Sequence, residues 1–292
     1  MEFLFVRKIM TEKKTDIKKN RNNKKLIVLI IAIGIVIAGA IALAVGRGKS
    51  KEEVRTTASP SAVTYLNDSK QADGDYTLDD ATIQNLRNEL ASDQQVNGDT
   101  KALFYFESGL VKRPLMQTGD YYYLFHSYET KAAENAKDCV TLDPDNNLNK
   151  DDMNLHVAAH YWYDYQERGA ESYGFTPLVK LQDQANYDAN KYVTIVTPTE
   201  IRYYQIAYVV NCPLDLVDGT YYPPNDLQYN LISYDSDYFN EYIKAVKKNE
   251  YYDTGVNIDY GDRMLTMETC IQSEEDHREI VIAKEIGRTQ FQ

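Results

Sequence analysis

Cysteine is scarce in this chain of 292 residues, which contains only Cys139, Cys212 and Cys270. Three thiols at wide spacing do not form the paired framework that staples small secreted domains, and at least one must stay free or pair with another chain. Cys139 and Cys212 lie in apolar surroundings, where cysteine behaves as a small buried hydrophobe, so we expect both to be inert. That leaves Cys270 as the candidate reactive thiol.

Residues that hold metals or phosphates are also few. The four histidines do not cluster with cysteine at the spacing of a metal site, and the acidic run at 143–147 lacks the glycine and the terminal glutamate of an EF-hand loop. The sequence contains no glycine-rich loop of the kind that cradles phosphate. It therefore predicts no metal and no other cofactor.

Positive charge is outnumbered by negative charge beyond the first fifth of the chain. The net charge is −12 overall, and residues 58–292 carry 19 basic and 39 acidic side chains. Such a surface repels phosphate backbones and anionic lipid, and it attracts basic peptides only weakly at physiological salt. Nucleic acid is therefore excluded as a partner.

Long hydrophobic runs are absent with one exception, the uncharged residues 26–45. Their length suits a helix that crosses about 30 Å of hydrocarbon, and the nine basic residues within 1–25 put that tail in the cytoplasm. We expect a single-pass anchor in the cell membrane at 26–45, an extracellular linker at 46–76 and an extracellular domain at 77–292. The alternative is a cleaved signal peptide, whose apolar region is only about 7–15 residues long and ends at a small-residue site.

Short segments rich in β-branched and aromatic residues dominate that domain. The sequence predicts eight strands, at 102–107, 121–125, 138–142, 155–160, 192–196, 203–210, 264–270 and 279–286. It also predicts a helix at 78–94, behind the capping residues of 77–80, and a second helix behind Ser236 in the long connection 211–255. Eight such strands favour a closed β-barrel in a mainly β (α+β) domain, with the first helix packed on its exterior.

Two of these strands carry the candidate chemistry. The strand at 264–270 ends on Cys270, and the next strand begins at Arg278. The period of two puts Thr266, Glu268 and Cys270 on one face. A thiol beside a fixed cation suits acyl transfer, because the thiolate attacks a carbonyl and the cation stabilises the charge that develops on its oxygen.

A base is available at the end of the strand at 155–160. His160 lies at the C-terminal end of this strand beside a loop, where catalytic groups tend to be exposed. His156 shares the strand parity of His160, so the pattern alone does not exclude it, and we expect it to lie deeper and to act mainly in stability. His126 and His277 are the remaining candidates, and we expect His277 to be solvated.

The two strand ends together resemble the sortase family of cysteine transpeptidases. The family has a Leu-x-Thr-Cys strand end, an arginine that opens the next strand, and an upstream Asn-x-Val-x-x-Gly-His strand. The positions that carry the resemblance here are Leu265, Thr266, Thr269, Cys270, Arg278, Asn154 and His160. The long insertion with its own helix and the Gly-Phe-Thr-Pro-Leu segment at 174–178 are similar to class B. The likeness spans roughly residues 101–288.

The resemblance implies a sortase-like closed eight-stranded barrel in which Cys270 is the nucleophile, His160 the general acid and base, and Arg278 the residue that stabilises the oxyanion. It implies a Gram-positive surface enzyme that cleaves a sorting motif through a thioacyl-enzyme and transfers the acyl group to an amine of cell-wall peptide or pilin. Two positions depart from the pattern. Ala159 replaces the glycine before the histidine, and Glu268 puts a carboxylate on the face of Cys270, where its charge would oppose thiolate formation.

Two other functions stay open from the sequence. A sortase-shaped surface module without catalysis would act in binding or assembly, which the two departures weakly favour and the retained Cys270, His160 and Arg278 oppose. A hydrolytic cysteine peptidase would differ only in the acceptor, since water rather than an amine would take the acyl group.

Overall fold

The computed structural model describes residues 60–64, 76–133, 137–162, 173–271 and 274–291. Apart from residues 217–221, these belong to one compact unit. The predicted tail and anchor at 1–45 lie outside the described residues. Within the described ranges, no helix combines the length and the apolar character needed to span a membrane.

Strands make up most of the described chain. They are β1 (Pro60–Thr64), β2 (Thr100–Phe106), β3 (Lys112–Met116), β4 (Val140–Leu142), β5 (Asn154–Ala158), β6 (Tyr192–Val196), β7 (Glu200–Pro213), β8 (Asp215–Val217), β9 (Thr220–Tyr222), β10 (Met264–Ile271) and β11 (Glu274–Phe291). The helices are α1 (Asp80–Val96), α2 (Tyr187–Asn190) and α3 (Ser236–Asn249), and 3-10 turns occur at Tyr122–Leu124, Thr176–Gln182 and Gln184–Asn186.

Eight of the strands close into a barrel. Their order is β11-β10-β5-β4-β3-β2-β6-β7, and β7 pairs back onto β11. The β10–β5 and β3–β4 pairs are parallel and the other pairs of the barrel are antiparallel, so the sheet is mixed. Closure leaves none of the eight strands as an open edge. The predicted closed eight-stranded barrel is therefore confirmed.

Side chains alternate between two apolar layers along the strands that matter for the site. Residues of one parity fill the barrel interior, among them Leu155, Val157, Leu265, Met267 and Val281. Residues of the other parity, such as Met264, Ile280 and Ile282, pack outside the barrel with Phe239, Tyr242 and Val246 of α3. This period-two division follows from the pleat of a β-strand, and it determines which face each polar residue occupies.

Helix α1 packs on the exterior of the barrel, as predicted. Its N-cap is Asp79, whose side chain accepts a hydrogen bond of 2.9 Å from the backbone N–H of Thr82. Ile83, Leu86 and Leu90 are buried with Leu103, Val196, Ile201 and Tyr203 of the barrel strands. The amphipathic spacing of these residues is therefore the cause of the docking.

One predicted strand is wrong and one strand was missed. Residues 121–125 do not form a strand, because Tyr122–Leu124 is a 3-10 turn. The missed strand is Lys112–Met116, the second barrel strand in chain order, and it contains Pro114, a residue that strands rarely hold away from their edges. The proline is tolerated because β4 pairs with β3 only at Leu115 and Met116, so no donor is needed from Pro114 on that side.

The observed strand limits differ from the predicted ones at two of the candidate residues. β11 begins at Glu274, so Arg278 lies inside this strand rather than at its first position, and the prediction that Arg278 opens it is wrong. β5 ends at Ala158, so His160 lies in the loop just beyond it. A further strand, Pro60–Thr64, pairs with β11 within the segment 46–76 that composition predicts to be a linker.

Candidate functional site

The register of the barrel brings Cys270 and Arg278 side by side. They are directly paired positions of the antiparallel strands β10 and β11, so their side chains share one face. Cys270 is half-buried, and the Arg278 side chain is 20% exposed. Arg278 Nη1 donates to the backbone carbonyls of His277, at 2.8 Å, and Glu275, at 3.3 Å. The guanidinium is thus held at the rim of the site by its own strand.

His160 lies just beyond the end of the neighbouring strand. β5 runs parallel to β10 with Ala158 opposite Glu268, and the N–H of Ala159 donates to the carbonyl of Glu268 at 3.2 Å. His160 and Cys270 each lie two residues beyond that pair. They therefore occupy corresponding positions at the ends of two adjacent parallel strands.

The hydrogen bond of the His160 ring identifies its protonated nitrogen. Nε2 lies 2.7 Å from the carbonyl oxygen of Leu124, in the 3-10 turn before Phe125, whose ring meets the imidazole edge-on at 5.9 Å. A carbonyl oxygen only accepts, so Nε2 carries a hydrogen. In the neutral ring, Nδ1 is then the nitrogen with the lone pair.

The backbone of His160 is held by the segment at 174–178. The N–H of Phe175 donates to the carbonyl of His160 at 3.0 Å. Gly174 has a φ of +48°, and a Cβ at this position would lie 2.4 Å from the His160 oxygen. Glycine is required here for both the backbone conformation and the close approach. The departure at Ala159 brings no strain, because its φ is not positive and its methyl group is buried in the interior core.

Asn154 ties the insertion before β10 to this face of the barrel. Its Nδ2 donates to the carbonyls of Tyr229, at 2.9 Å, and Leu231, at 3.0 Å. The hydroxyl of Thr266 donates to Asn154 Oδ1 at 2.8 Å and fixes the amide orientation. Two residues that carry the family resemblance thus position a loop beside the candidate site.

Glu268 does not face the site as an unpaired charge. Its Oε2 lies 3.0 Å from His156 Nε2, and its Oε1 accepts from the Tyr229 hydroxyl at 3.0 Å and lies 3.7 Å from Arg278 Nε. Burial raises the pKa of Glu268, but the hydrogen bond and charge of His156 and the charge of Arg278 outweigh it and lower the pKa. The expected opposition to the Cys270 thiolate is therefore compensated by two cations.

His156 is held between two carboxylates. Its side chain is 2% exposed, and its Nδ1 lies 3.3 Å from Asp143 Oδ2. Burial lowers the pKa of His156, but Asp143 and Glu268 together raise it to about 9. Asp143 in turn accepts hydrogen bonds from the Tyr121 hydroxyl and, at 2.9 Å, from the N–H of Asp145.

The sequence reasoning missed this network. The sequence predicted that His156 acts mainly in stability and that the charge of Glu268 opposes thiolate formation. A signal was present in a third departure from the pattern, because His156 replaces the valine of Asn-x-Val and shares a face with Glu268. Two polar residues that depart from the pattern on the same face of adjacent strands indicate an interacting pair.

The other candidate groups lie outside the chemistry. Cys139 and Cys212 are both buried, as predicted, and burial raises both thiol pKa values, that of Cys212 to about 12. Cys212 of β7 pairs with Arg278 of β11, and Arg278 pairs on its other side with Cys270 of β10. Roughly two strand spacings, about 10 Å, therefore separate the two thiols, which is too far for a disulfide. Across the described ranges, no three His, Cys, Asp or Glu residues are grouped to hold a metal ion.

His126 and His277 have partners of their own. The Nδ1 of His126 lies 2.8 Å from the carbonyl of Tyr122, and the ring stacks on that tyrosine. His277 is partly exposed, with its Nδ1 3.0 Å from Asp276. His160 is therefore the histidine at the end of the strand next to Cys270.

No family model matches this chain, and neither does any curated protein. Solved structures do match. A complex of Staphylococcus aureus sortase B with substrate has a TM-score of 0.56 at 18% identity and covers 70% of this chain and 92% of that one. The Clostridium perfringens sortase B gives 0.52 at 23%, over 67% and 98%. A Bacillus anthracis protein described as similar to sortase B gives 0.54 at 17%, over 71% and 94%. The described part of this chain has the fold of the class B sortases.

Proposed function

We propose that this chain is a membrane-anchored cysteine transpeptidase that cleaves a sorting motif of secreted surface proteins and transfers it to an amine of cell-wall peptide or pilin. One observation carries the proposal. Cys270 and Arg278 are paired on one face of the barrel, and the strand beside them ends just before His160. The sortase fold supports this reading, and a sortase B complexed with triglycine and another complexed with substrate are among the similar structures.

In the first step, the Cys270 thiolate attacks the carbonyl carbon of the peptide bond in the sorting motif, forming a C–S bond. Arg278 donates to the oxyanion of the tetrahedral intermediate, where a forked cation is most effective. The C–N bond then breaks, and the leaving amine takes a proton from His160. Because Nε2 donates to Leu124, the transferred proton is the one on Nδ1.

In the second step, an acceptor amine attacks the thioester. His160 takes a proton from that amine through Nδ1, the new C–N bond forms, and the C–S bond breaks to return the Cys270 thiolate. The acidic surface of the domain is compatible with a basic amine acceptor and opposes nucleic acid. Water in place of the amine would make the enzyme a hydrolase.

The test is mass spectrometry of the full-length protein in nonionic detergent, incubated with a panel of sorting-signal peptides and with hydroxylamine or triglycine as acceptor. We expect an adduct on Cys270, none in Cys270→Ala, and a slow but alkylable thiol in His160→Ala. Loss of either group breaks the same relay, so the two effects on transfer rate should not add. Full transfer in His160→Ala, or an adduct on Cys212, would contradict the assignment. A folded protein that forms no adduct with any peptide would favour the inert binding module.

The proposed location follows from the sequence. Residues 26–45 would hold the chain in the cell membrane with the N-terminus in the cytoplasm and the catalytic domain outside. We expect the full-length protein to stay with membranes in alkaline carbonate. Release of the intact protein by carbonate would refute the anchor.

A further inference from the structure

The face that carries Cys270 also carries four alternating charges. Asp143, His156, Glu268 and Arg278 follow one another in space, linked by distances of 3.3 Å, 3.0 Å and 3.7 Å. In the same order, they belong to the loop after β4, to β5, to β10 and to β11. The chain of contacts therefore joins the candidate oxyanion residue to a buried histidine of the barrel wall.

The geometry of His156 requires a charged ring. Both of its nitrogens face carboxylate oxygens, of Asp143 and of Glu268. A neutral imidazole has one N–H, so one of these contacts would bring two lone pairs together. The doubly protonated ring donates to both carboxylates and balances one of the two charges that would otherwise be buried beside it.

Two hydrogen bonds from other groups hold Asp143 in place beside His156. Its Oδ1 accepts from the N–H of Asp145, and its Oδ2 accepts from the Tyr121 hydroxyl. The Asp143 pKa is lowered because the hydrogen bonds from His156 and Tyr121 outweigh the effect of burial. Asp143 is thus a rigid anion that orients the His156 ring.

Glu268 is the link to the reacting face. It lies two residues before Cys270 on the same side of β10, about 7 Å away along the strand. Its two oxygens have different partners, His156 on Oε2, and Tyr229 and Arg278 on Oε1. Movement of the carboxylate toward Cys270 would break its contacts with His156 and Tyr229.

We propose that His156, as a buried imidazolium, holds Glu268 so that Glu268 positions Arg278 beside Cys270 and its negative charge does not act on the thiolate. His156 and Glu268 are positioning residues, because neither needs to touch the substrate. The proposal rests on the proposed function for its effect on acyl transfer. The expected charge of His156 and the expected reactivity of the Cys270 thiol do not depend on that function.

Five titratable groups among the described residues surround the pair formed by His156 and Glu268. Asp143, Tyr229 and Glu268 contact His156, and Tyr121 contacts Asp143. Arg278 contacts Glu268. The buried thiol of Cys212 lies close enough that the Glu268 charge raises its pKa, in addition to the larger effect of burial. Replacement of His156 by a neutral residue leaves two carboxylates against the single charge of Arg278.

The experiment compares His156→Gln, Glu268→Gln, the double variant and the control Glu241→Gln, whose carboxylate is exposed on α3, in the full-length protein in detergent. Iodoacetamide alkylation of Cys270, followed across pH by peptide mass spectrometry, reports the thiolate. Transfer of a sorting-signal peptide to hydroxylamine reports the whole reaction.

In His156→Gln we expect alkylation at pH 7 to slow about three- to tenfold, because an uncompensated carboxylate raises the thiol pKa. In Glu268→Gln the thiol should stay within about twofold of the parent while transfer falls at least about tenfold, since Arg278 loses its contact with the Glu268 carboxylate. The double variant should recover alkylation but not transfer. A purely structural role for His156 predicts no such recovery.

Three results would overturn the proposal. They are normal transfer in Glu268→Gln, alkylation in the double variant as slow as in His156→Gln, and a His156 ring that is neutral at pH 7 in the unsubstituted protein. The last is measured without any variant, by NMR of protein labelled with 15N-histidine, where both ring nitrogens should show imidazolium shifts. If no peptide is ever transferred, alkylation and NMR still decide the charge coupling, so failure of the proposed function is seen separately.

Discussion

Glu279 offers a sharp test of the barrel interior. It follows Arg278 on β11, its side chain is 0% exposed, and its Oε2 accepts a hydrogen bond of 3.0 Å from Gln182. Its Oε1 has no hydrogen-bond partner among the described residues. Burial raises the pKa of Glu279 to about 7, although the Gln182 hydrogen bond lowers it. The residue is therefore neutral in the fold over a range where the unfolded chain is ionised.

The sign of the effect follows from proton binding. Between its unfolded pKa, about 4.3, and its folded pKa, Glu279 binds more protons in the folded state, so its contribution to the free energy of unfolding falls as pH rises. At 1.36 kcal/mol per pH unit, this amounts to about 2.5 kcal/mol between pH 5 and pH 8. Above the folded pKa the loss levels off.

The variant Glu279→Gln removes this titration and keeps the side-chain volume. The new amide retains an acceptor for Gln182 and adds donors on the face of Asn211, the paired residue of β7, whose Oδ1 also has no partner in the described residues. The free energy of unfolding of the variant, relative to the parent, should therefore rise by about 2.5 kcal/mol from pH 5 to pH 8.

The assay is urea unfolding of the full-length protein in detergent, followed by the fluorescence of Trp162, the single tryptophan. Glu241→Gln, at an exposed position of α3, is the control and should show a difference that stays within about 0.5 kcal/mol at every pH. A relative stability of Glu279→Gln that changes by less than about 1 kcal/mol between pH 5 and pH 8 would refute the reasoning.

Three further predictions concern the site and its support. Arg278→Lys should lower kcat/KM for peptide transfer about 100-fold or more while Cys270 stays alkylable, because a point charge replaces a forked donor; near-normal turnover would remove Arg278 from the site. Gly174→Ala should destabilise the fold by at least about 1 kcal/mol and slow transfer by displacing His160, whereas Gly119→Ala, with open space around it, should do neither. Leu90→Ala, at a position 2% exposed between α1 and the barrel, should cost about 2–5 kcal/mol in urea unfolding without changing the reactivity of Cys270.

Period-two reading of the sequence predicted the faces of the central strands correctly. Leu265 and Met267 fill the interior, while Glu268 and Cys270 lie on the opposite face. This succeeded because the pleat is a local property of the backbone, independent of what the strand packs against. Helices α1 and α3 were predicted for the same reason, since the spacing of their apolar residues is also a local property of the sequence.

Non-local contacts account for what the sequence could not predict. The aromatic run at 121–125 has high strand propensity, yet it turns, because the Tyr121 hydroxyl reaches Asp143 and the Tyr123 hydroxyl is hydrogen-bonded to Asn97 and Asp99. The partner of Glu268 is His156, 112 positions away in the sequence. The face on which a charged strand residue lies can be predicted from its parity. The partner that neutralises it depends on which strand the barrel places next to it.

The same alternation separates two acidic residues that occupy similar places in the sequence. Glu268 and Glu279 both lie within two residues of a candidate catalytic group, Cys270 or Arg278. Glu268 is on the outer face, where the cations of His156 and Arg278 lower its pKa, and Glu279 is on the inner face, where burial raises its pKa. Because adjacent strand positions point to opposite sides, Glu279 cannot replace Glu268 in holding Arg278. Loss of the Glu268 carboxylate should therefore not be compensated by Glu279, even though Glu279 is the residue next to Arg278 in the chain.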